Sequence, residues 1–186
     1  DPEEIESLIT KRTRAIVVIN PNNPTGAVYP RQVLEAIARL AEKHHLVVFA
    51  DEIYDQMTYD GAEFVPMATL VHHTLCCTMS GLSKVYRACG YRVGWAVFSG
   101  DIENAREYLS ALELLSSLRL CSNVAGQWAV QTALGGYQSI KELIRPGGRL
   151  YESRKAIVDA VARSKYLTLT VPRGALYAFV GVDTQR

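Results

Sequence analysis

The sequence predicts an α/β fold: a three-layer α/β/α sandwich with a mostly parallel sheet, followed by the start of a small α+β domain. Short apolar runs rich in β-branched residues are typical of strands buried on both faces of a parallel sheet. Segments with apolar residues at helical spacing alternate with these runs, as expected where helices connect parallel strands. A chain of 186 residues is also long enough to bury the core of such a domain.

Helices and strands alternate through the first half of the chain. A helix is predicted over residues 2–10, where acidic side chains occupy the first turn, and a second over residues 33–43, where apolar residues recur at helical spacing. The apolar runs predict strands over residues 15–19, 46–50, 75–79 and 93–98.

The second half of the chain begins with longer helical patterns. Helices are predicted over residues 103–118, 124–134 and 150–164, and strands over residues 167–171 and 175–180. A Pro-Gly-Gly sequence at residues 146–148 favours a domain boundary there. Because one helix and two strands do not bury a core of their own, we expect an incomplete domain at the end of the chain. The predicted division is a large domain over residues 1–147 and part of a small one over residues 148–186.

Charge and hydropathy argue against several classes of partner. The formal net charge is +1, so no basic surface for nucleic acid or for an anionic membrane is expected. No apolar stretch is as long as a membrane-spanning helix requires. We therefore expect neither nucleic acid nor membrane as a partner.

The cysteines and histidines show no metal-ligand spacing. Neighbouring histidines on a helix point about 100° apart, so the doublets at residues 44–45 and 72–73 do not predict a metal site. The cysteines form no C-x-x-C pair, which favours a reducing, cytoplasmic setting; they are Cys76, Cys77, Cys89 and Cys121.

Polar loops follow the predicted strands that end near residues 19, 50 and 79. In open α/β sheets, ligands bind outside the carboxyl ends of the strands. These loops are distant in sequence, but parallel pairing would bring them to one site. Residues with chemical function are therefore expected in these loops.

The first loop, residues 20–26, reads NPNNPTG. Its two prolines restrict the backbone, and Asn23 precedes Pro24, which favours an extended conformation. An amide held in that way can donate a hydrogen bond in a fixed direction. The alternative is an ordinary turn made of turn-forming residues.

The second loop begins at Asp51, directly after an apolar run. A carboxylate that is partly desolvated at a strand end needs a positive partner from the protein or from a ligand. The alternative is that Asp51 is the N-cap of a helix, a position that aspartate favours.

The third loop contains Lys84, and Arg92 follows it in the chain. A lysine in a small-residue loop after a buried strand can be drawn into the protein and become a usable nucleophile. Arginine is suited to clamping a phosphate group. The alternative for a single lysine is a solvated surface charge.

Taken in order, these loops resemble one family. The series NPNNPTG at residues 20–26, ADEIY at 50–54, SK at 83–84 and GYRVG at 90–94 is similar to the pattern of the fold-type I pyridoxal-phosphate aminotransferases of class I and II. Stretches further along, including PGGRLYE at 146–152 and PRGALY at 172–177, look like the bacterial alanine (glutamate–pyruvate) aminotransferases.

The resemblance implies a role for each matching residue. Lys84 would form the Schiff base with pyridoxal 5'-phosphate and move the proton during transamination between an amino acid and a 2-oxo acid. Asp51 would pair with the protonated pyridine nitrogen. Asn23 and Tyr54 would hydrogen-bond the phenolic oxygen of the cofactor.

The phosphate of the cofactor would be bound by Arg92 with help from Ser83. Some members of the family carry serine three residues before the lysine, where this chain has Gly81. The family also forms homodimers, so a homodimer is what the resemblance implies here.

The resemblance also implies segments outside residues 1–186. In the family, a preceding segment supplies a second phosphate loop and an aromatic residue that stacks on the cofactor, and a following segment supplies an arginine that grips the substrate carboxylate. We therefore expect this chain to be a central fragment without activity of its own.

Two other functions fit the same motifs, because the motifs serve the cofactor and leave the reaction outcome open. One is a lyase of the same fold. The other is a non-catalytic domain that binds the cofactor, as in aminotransferase-like regulators.

Overall fold

The computed structural model describes residues 1–184. Its first half contains two helices, α1 (Pro2–Leu8) and α2 (Arg31–Lys43). Its strands are β1 (Ala15–Ile19), β2 (Val47–Asp51), β3 (Leu75–Gly81) and β4 (Gly94–Gly100). Single 3-10 turns lie at Met67–Thr69 and Cys89–Tyr91.

The strands form one sheet in the order β1-β2-β3-β4. The first three strands are parallel, and β4 runs antiparallel to β3. Parallel neighbours are usually connected by a helix, but the connection between β3 and β4 contains a single 3-10 turn. This short connection fits their antiparallel pairing. The prediction of an α/β fold with a mostly parallel sheet is confirmed.

The main core lies between α2 and the sheet. Leu34 and Ala41 on α2 and Val48 on β2 have no exposed surface. Their burial removes apolar side chains from water on the inner face of the helix, which is the main stabilising contribution for an element of this kind. Beneath α2, the parallel pairing of β1 and β2 places their carboxyl ends side by side.

Residues 101–184 form four helices and a small sheet. The helices are α3 (Arg106–Ser117), α4 (Val124–Gly135), α5 (Ile140–Ile144) and α6 (Arg149–Ala162). Strands β5 (Leu167–Leu169) and β6 (Val180–Val182) pair antiparallel. Within residues 1–184, none of the helices has the length and apolar character needed to cross a bilayer.

A second core joins the two halves of the chain. It contains buried residues from the loops after β2 and β3, from α5 and from the segment before β6: Tyr54, Met57, Val85, Ile140 and Ala175. The loops that follow the strands therefore pack against later parts of the chain.

The prediction of a strand over residues 175–180 is wrong except at its last residue. Ala175 has a left-handed φ of 58°, and its N–H donates to the carbonyl of Met57 at 2.8 Å. This part of the chain therefore bonds to the loop after β2, and pairing with β5 begins only at Val180. Helix α5 was missed by the sequence analysis, and the boundary near residues 146–148 stays a prediction.

Candidate active site

The register of the sheet places three strand ends at one level. Ile19 pairs with Asp51, and Asp51 pairs with Met79. Beyond the ladder, the N–H of Asn20 donates to the carbonyl of Asp51 at 3.1 Å, and the N–H of Glu52 donates to that of Met79 at 2.9 Å. The three polar loops therefore start beside one another, as the parallel sheet predicts.

The first loop is closed by its own polar groups. The side-chain oxygen of Asn22 accepts from the N–H of Thr25 at 3.2 Å and from its hydroxyl at 2.6 Å. Asn23 is exposed at the outside of this turn. Its amide hydrogen-bonds the Tyr54 hydroxyl, a bond that opposes in small part the rise in the pKa of Tyr54 that burial causes. The structure therefore brings Asn23 and Tyr54 together, although they come from different loops.

Asp51 is the last residue of β2 and is half-buried. One of its carboxylate oxygens accepts from the N–H of Ile53 at 3.2 Å, and the residues that follow form turns. No helix begins here, so the interpretation of Asp51 as a helix N-cap does not apply. The carboxylate has a second oxygen available for a cationic partner.

Tyr54 is 2% exposed, and its hydroxyl lies 2.5 Å from the hydroxyl of Tyr177. The two rings meet edge to face, with centroids 5.6 Å apart. Burial raises the pKa of Tyr54, and the hydrogen bond to Tyr177 and the charge of Asp51 raise it further. Tyr54 is therefore a protonated phenol that can donate a hydrogen bond at neutral pH.

Lys84 lies half-buried in a tight loop after β3. The N–H of Leu82 donates to the carbonyl of Val93 at 3.0 Å, and the N–H of Arg87 donates to the carbonyl of Lys84 at 3.0 Å. These bonds hold both ends of the loop and set the position of the Lys84 backbone.

Arg92 and Ser83 belong to the same compact loop. Arg92 is exposed and has a left-handed φ of 51°, and its guanidinium donates to the carbonyl of Cys89 at 2.8 Å. The thiol of Cys89 donates in turn to the carbonyl of Ser83 at 2.9 Å. The structure thus connects Ser83 and Arg92 through Cys89, next to Lys84 in the chain.

Two residues of this region were missed by the sequence analysis. Tyr177 reaches Tyr54 from a distant part of the chain, and no local pattern signals that contact. Glu52 is 6% exposed, and its carboxylate accepts from the N–H of Met67 at 2.8 Å. Burial raises the pKa of Glu52 to about 7, with smaller contributions from Asp55 and Asp51. The adjacent Asp-Glu pair in the sequence was the available signal for Glu52.

Among residues 1–184, the His, Cys, Asp and Glu side chains form no group of three that could hold a metal ion. The loops that start at the strand ends carry a carboxylate, an amide bonded to a phenol, an amine and a guanidinium. In open α/β sheets the carboxyl ends of the strands are where ligands bind, so these groups are the candidates for binding one.

The chain belongs to the aminotransferase class I and II family, whose model matches residues 1–186. It is 50% identical over 186 residues to the glutamate–pyruvate aminotransferase AlaA of Escherichia coli (strain K12), covering 100% of this chain and 46% of that relative. It is 47% identical over 185 residues to the alanine aminotransferase of Mycobacterium bovis, covering 100% of this chain and 43% of that relative.

A solved structure agrees with this assignment. The crystal structure of an aminotransferase from Escherichia coli matches with a TM-score of 0.97 and 50% identity, covering 100% of this chain and 46% of that chain. The family resemblance of the sequence is thereby confirmed. The chain spans about half the length of the curated relatives it matches.

Proposed function

We propose that this chain provides the cofactor site of an aminotransferase that moves an amino group between alanine or glutamate and a 2-oxo acid. The observation that carries the proposal is the convergence of Asp51, the Asn23–Tyr54 pair and the Lys84 loop at one edge of the sheet. The names of the relatives, glutamate–pyruvate and alanine aminotransferase, support this choice of substrates.

The chemistry of the side chains fits pyridoxal 5'-phosphate. That molecule has a basic ring nitrogen, a phenolic oxygen, an aldehyde and a phosphate. The site offers a carboxylate for the nitrogen, an amide and a phenol for the oxygen, and a primary amine for the aldehyde. The guanidinium of Arg92 and the hydroxyl of Ser83 remain for the phosphate. Each polar group of the cofactor therefore has a counterpart of suitable charge.

Pyridoxal phosphate, when bound, supplies an electron-poor ring that stabilises negative charge at the α-carbon of an amino acid. The amine of Lys84 would hold the cofactor and then take up and return the proton at that α-carbon. The carboxylate of Asp51 would keep a proton on the ring nitrogen. Tyr54, which remains protonated at neutral pH, would donate to the phenolic oxygen. Catalysis would therefore be shared between one mobile amine and several fixed polar groups.

We also propose a homodimer as the assembled form and the cytoplasm as its location. Large apolar side chains are exposed along α3, α4 and the connection between them: Leu114, Leu115, Leu118, Leu120, Val124 and Trp128. An apolar surface of this kind favours a protein partner. All four cysteines are free thiols, which supports a reducing compartment.

The attachment of the cofactor to Lys84 is tested by borohydride reduction. We expect reduction in the presence of pyridoxal phosphate to leave a pyridoxyl group on the peptide that contains Lys84, because Lys84 lies in the loop that follows β3 and the family resemblance assigns the Schiff base to it. The variant K84A should carry no pyridoxyl group at that peptide. The variant K155A is a matched control, because the Lys155 side chain is 58% exposed on α6. Peptide mapping that finds the pyridoxyl group on another lysine would show that the assignment is wrong.

A further inference from the structure

Tyr177 contributes a hydroxyl to the site from the segment that precedes β6. Its hydroxyl lies 2.5 Å from that of Tyr54, at the short end of the range for O–H···O bonds. The residues are separated by 123 positions in the sequence. No role follows for Tyr177 from the family motifs at the strand ends, so its contact with Tyr54 needs its own explanation.

The backbone around Tyr177 is bonded to both loops that carry the proposed phenol and amide. The N–H of Gly174 donates to the carbonyl of Gly26 at 2.9 Å, and that of Ala175 donates to the carbonyl of Met57 at 2.8 Å. The hydroxyl of Tyr59 also donates to the carbonyl of Ala175, at 3.0 Å. The segment that carries Tyr177 is therefore held by main-chain bonds to the loop of Asn23 and to the loop of Tyr54.

The Tyr54 hydroxyl has one hydrogen and two acceptor positions. The amide of Asn23 bonds to this oxygen and stabilises its negative form, as an N–H donor does. If Tyr177 donates to the remaining acceptor position, the hydrogen of Tyr54 is available to a third group. If Tyr54 donates to Tyr177 instead, that hydrogen is already used.

We propose that Tyr177 is a positioning residue of the cofactor site, whose hydroxyl donates to Tyr54 when the cofactor is bound, so that Tyr54 gives its own hydrogen to the phenolic oxygen. This inference rests on the proposed function. Bound in this way, Asn23 gives one amide hydrogen to Tyr54 and the other to the phenolic oxygen. The bonds that Tyr54 accepts from Asn23 and Tyr177 polarise its hydroxyl and strengthen its donation to the cofactor.

The hydroxyl of Tyr177 can donate or accept, so a phenolic oxygen of the cofactor that accepts from Tyr54 leaves Tyr177 as the donor to Tyr54. Without that acceptor Tyr54 donates to Tyr177, and this bond raises the pKa of Tyr54, as does the charge of Asp51. Burial acts in the same direction, so Tyr54 keeps its hydrogen at neutral pH. The edge-to-face contact of the two rings does not depend on the Tyr177 hydroxyl, so phenylalanine at position 177 should keep the packing.

The test is the pH at which the absorbance of the bound cofactor changes. A hydrogen bond donated to the phenolic oxygen withdraws electron density and lowers the affinity of the chromophore for a proton. In the variant Y177F this bond is weakened, so the transition should move upward by about half a pH unit. The control variant Y59F loses a hydroxyl bond to the same segment, at Ala175, and should leave the transition in place.

A double variant distinguishes an effect through Tyr54 from a general loosening of the segment. In the Y54F background, Y177F should cause no further shift, because the two substitutions act on one chain of hydrogen bonds. Equal shifts in Y177F and Y59F, or an unchanged transition in Y177F, would overturn the inference. If borohydride labels Lys84 and the absorbance transition of Y177F lies at the same pH as in the parent, the proposed function stands and only the role of Tyr177 is wrong.

Discussion

At the scale of single residues, the neighbouring carboxylates of Asp51 and Glu52 differ in their surroundings. Asp51 is half-buried at the strand end, whereas Glu52 is buried under the segment that contains Met67. Side chains alternate across a strand, so adjacent residues at its end point to opposite faces of the sheet. One carboxylate is thus available to a ligand, and the other holds the connection between β2 and β3.

The raised pKa of Glu52 predicts a pH-dependent stability. With a pKa of about 7 in the folded protein against 4.5 for the free group, the native state binds the proton more tightly. This contribution to the free energy of unfolding is therefore largest below pH 4.5 and is lost as the pH rises through about 7. The variant E52Q keeps an oxygen for the Met67 N–H and does not ionise. Between pH 5 and 8 we expect the parent to lose roughly 2–3 kcal/mol relative to E52Q.

Urea denaturation at the two pH values measures this difference. The variant E113Q serves as the control, because Glu113 is exposed on α3. A parent protein and an E52Q variant with the same pH dependence would show that Glu52 is ionised in the folded state at neutral pH.

At the scale of elements, the first polar loop and the segment before β6 fit together through Gly26. This glycine has a φ of +71°, and its carbonyl accepts from the N–H groups of both Arg173 and Gly174. A Cβ at this position would lie 2.3 Å from the Cβ of Pro172 and 2.7 Å from the carbonyl oxygen of Tyr177. The loop that carries Asn23 and the segment that carries Tyr177 are therefore in contact where no side chain fits.

For that reason, substitution of Gly26 should lower the free energy of unfolding. Gly61 provides a matched control, because its φ is +70° and a Cβ there would meet nothing within 4 Å. Both G26A and G61A incur the backbone cost of a left-handed residue, about 1–2 kcal/mol. Only G26A also incurs the steric clash, so we expect it to be less stable than G61A by about 1–3 kcal/mol in urea denaturation. Equal stabilities of the two variants would show that the 172–177 segment moves aside without cost.

At the scale of the whole molecule, the chain carries the residues proposed to bind the cofactor and also exposes many large apolar side chains. Trp128 is 73% exposed on α4, and Leu118 is 72% exposed after α3. Strand β4 is an edge of the sheet, with Val97 exposed. An unpaired edge strand beside exposed apolar helices invites association with other protein surfaces.

We predict that the 186-residue chain alone does not catalyse transamination. A transaminase must hold the substrate carboxylate so that the bond from Cα to hydrogen stands perpendicular to the cofactor ring. The family resemblance assigns that grip, the stacking aromatic residue and the second phosphate loop to segments outside these residues. A coupled assay with alanine, 2-oxoglutarate and pyridoxal phosphate measures this, with the Escherichia coli relative as the positive control. Turnover of about 1 per second or more would contradict the prediction.

Local patterns in the sequence determined the alternation of strands and helices, because hydrophobic periodicity depends only on near neighbours. They also predicted that the loops beginning at Asn20, Asp51 and Ser80 meet, since parallel strands share one carboxyl edge. The family motifs then gave Lys84 and Arg92 expected roles that residue types alone left open.

The contacts between distant segments were decided by the tertiary structure alone. Residues 175–179 have the apolar character of a strand, but Arg173 and Gly174 donate to Gly26, and Ala175, with a left-handed φ, donates to Met57, so the chain does not pair as a strand here. The same bonds place Tyr177 against Tyr54, and burial gives Glu52 its raised pKa. These properties depend on which distant groups exclude water and supply hydrogen bonds, and a local pattern contains no information about those neighbours.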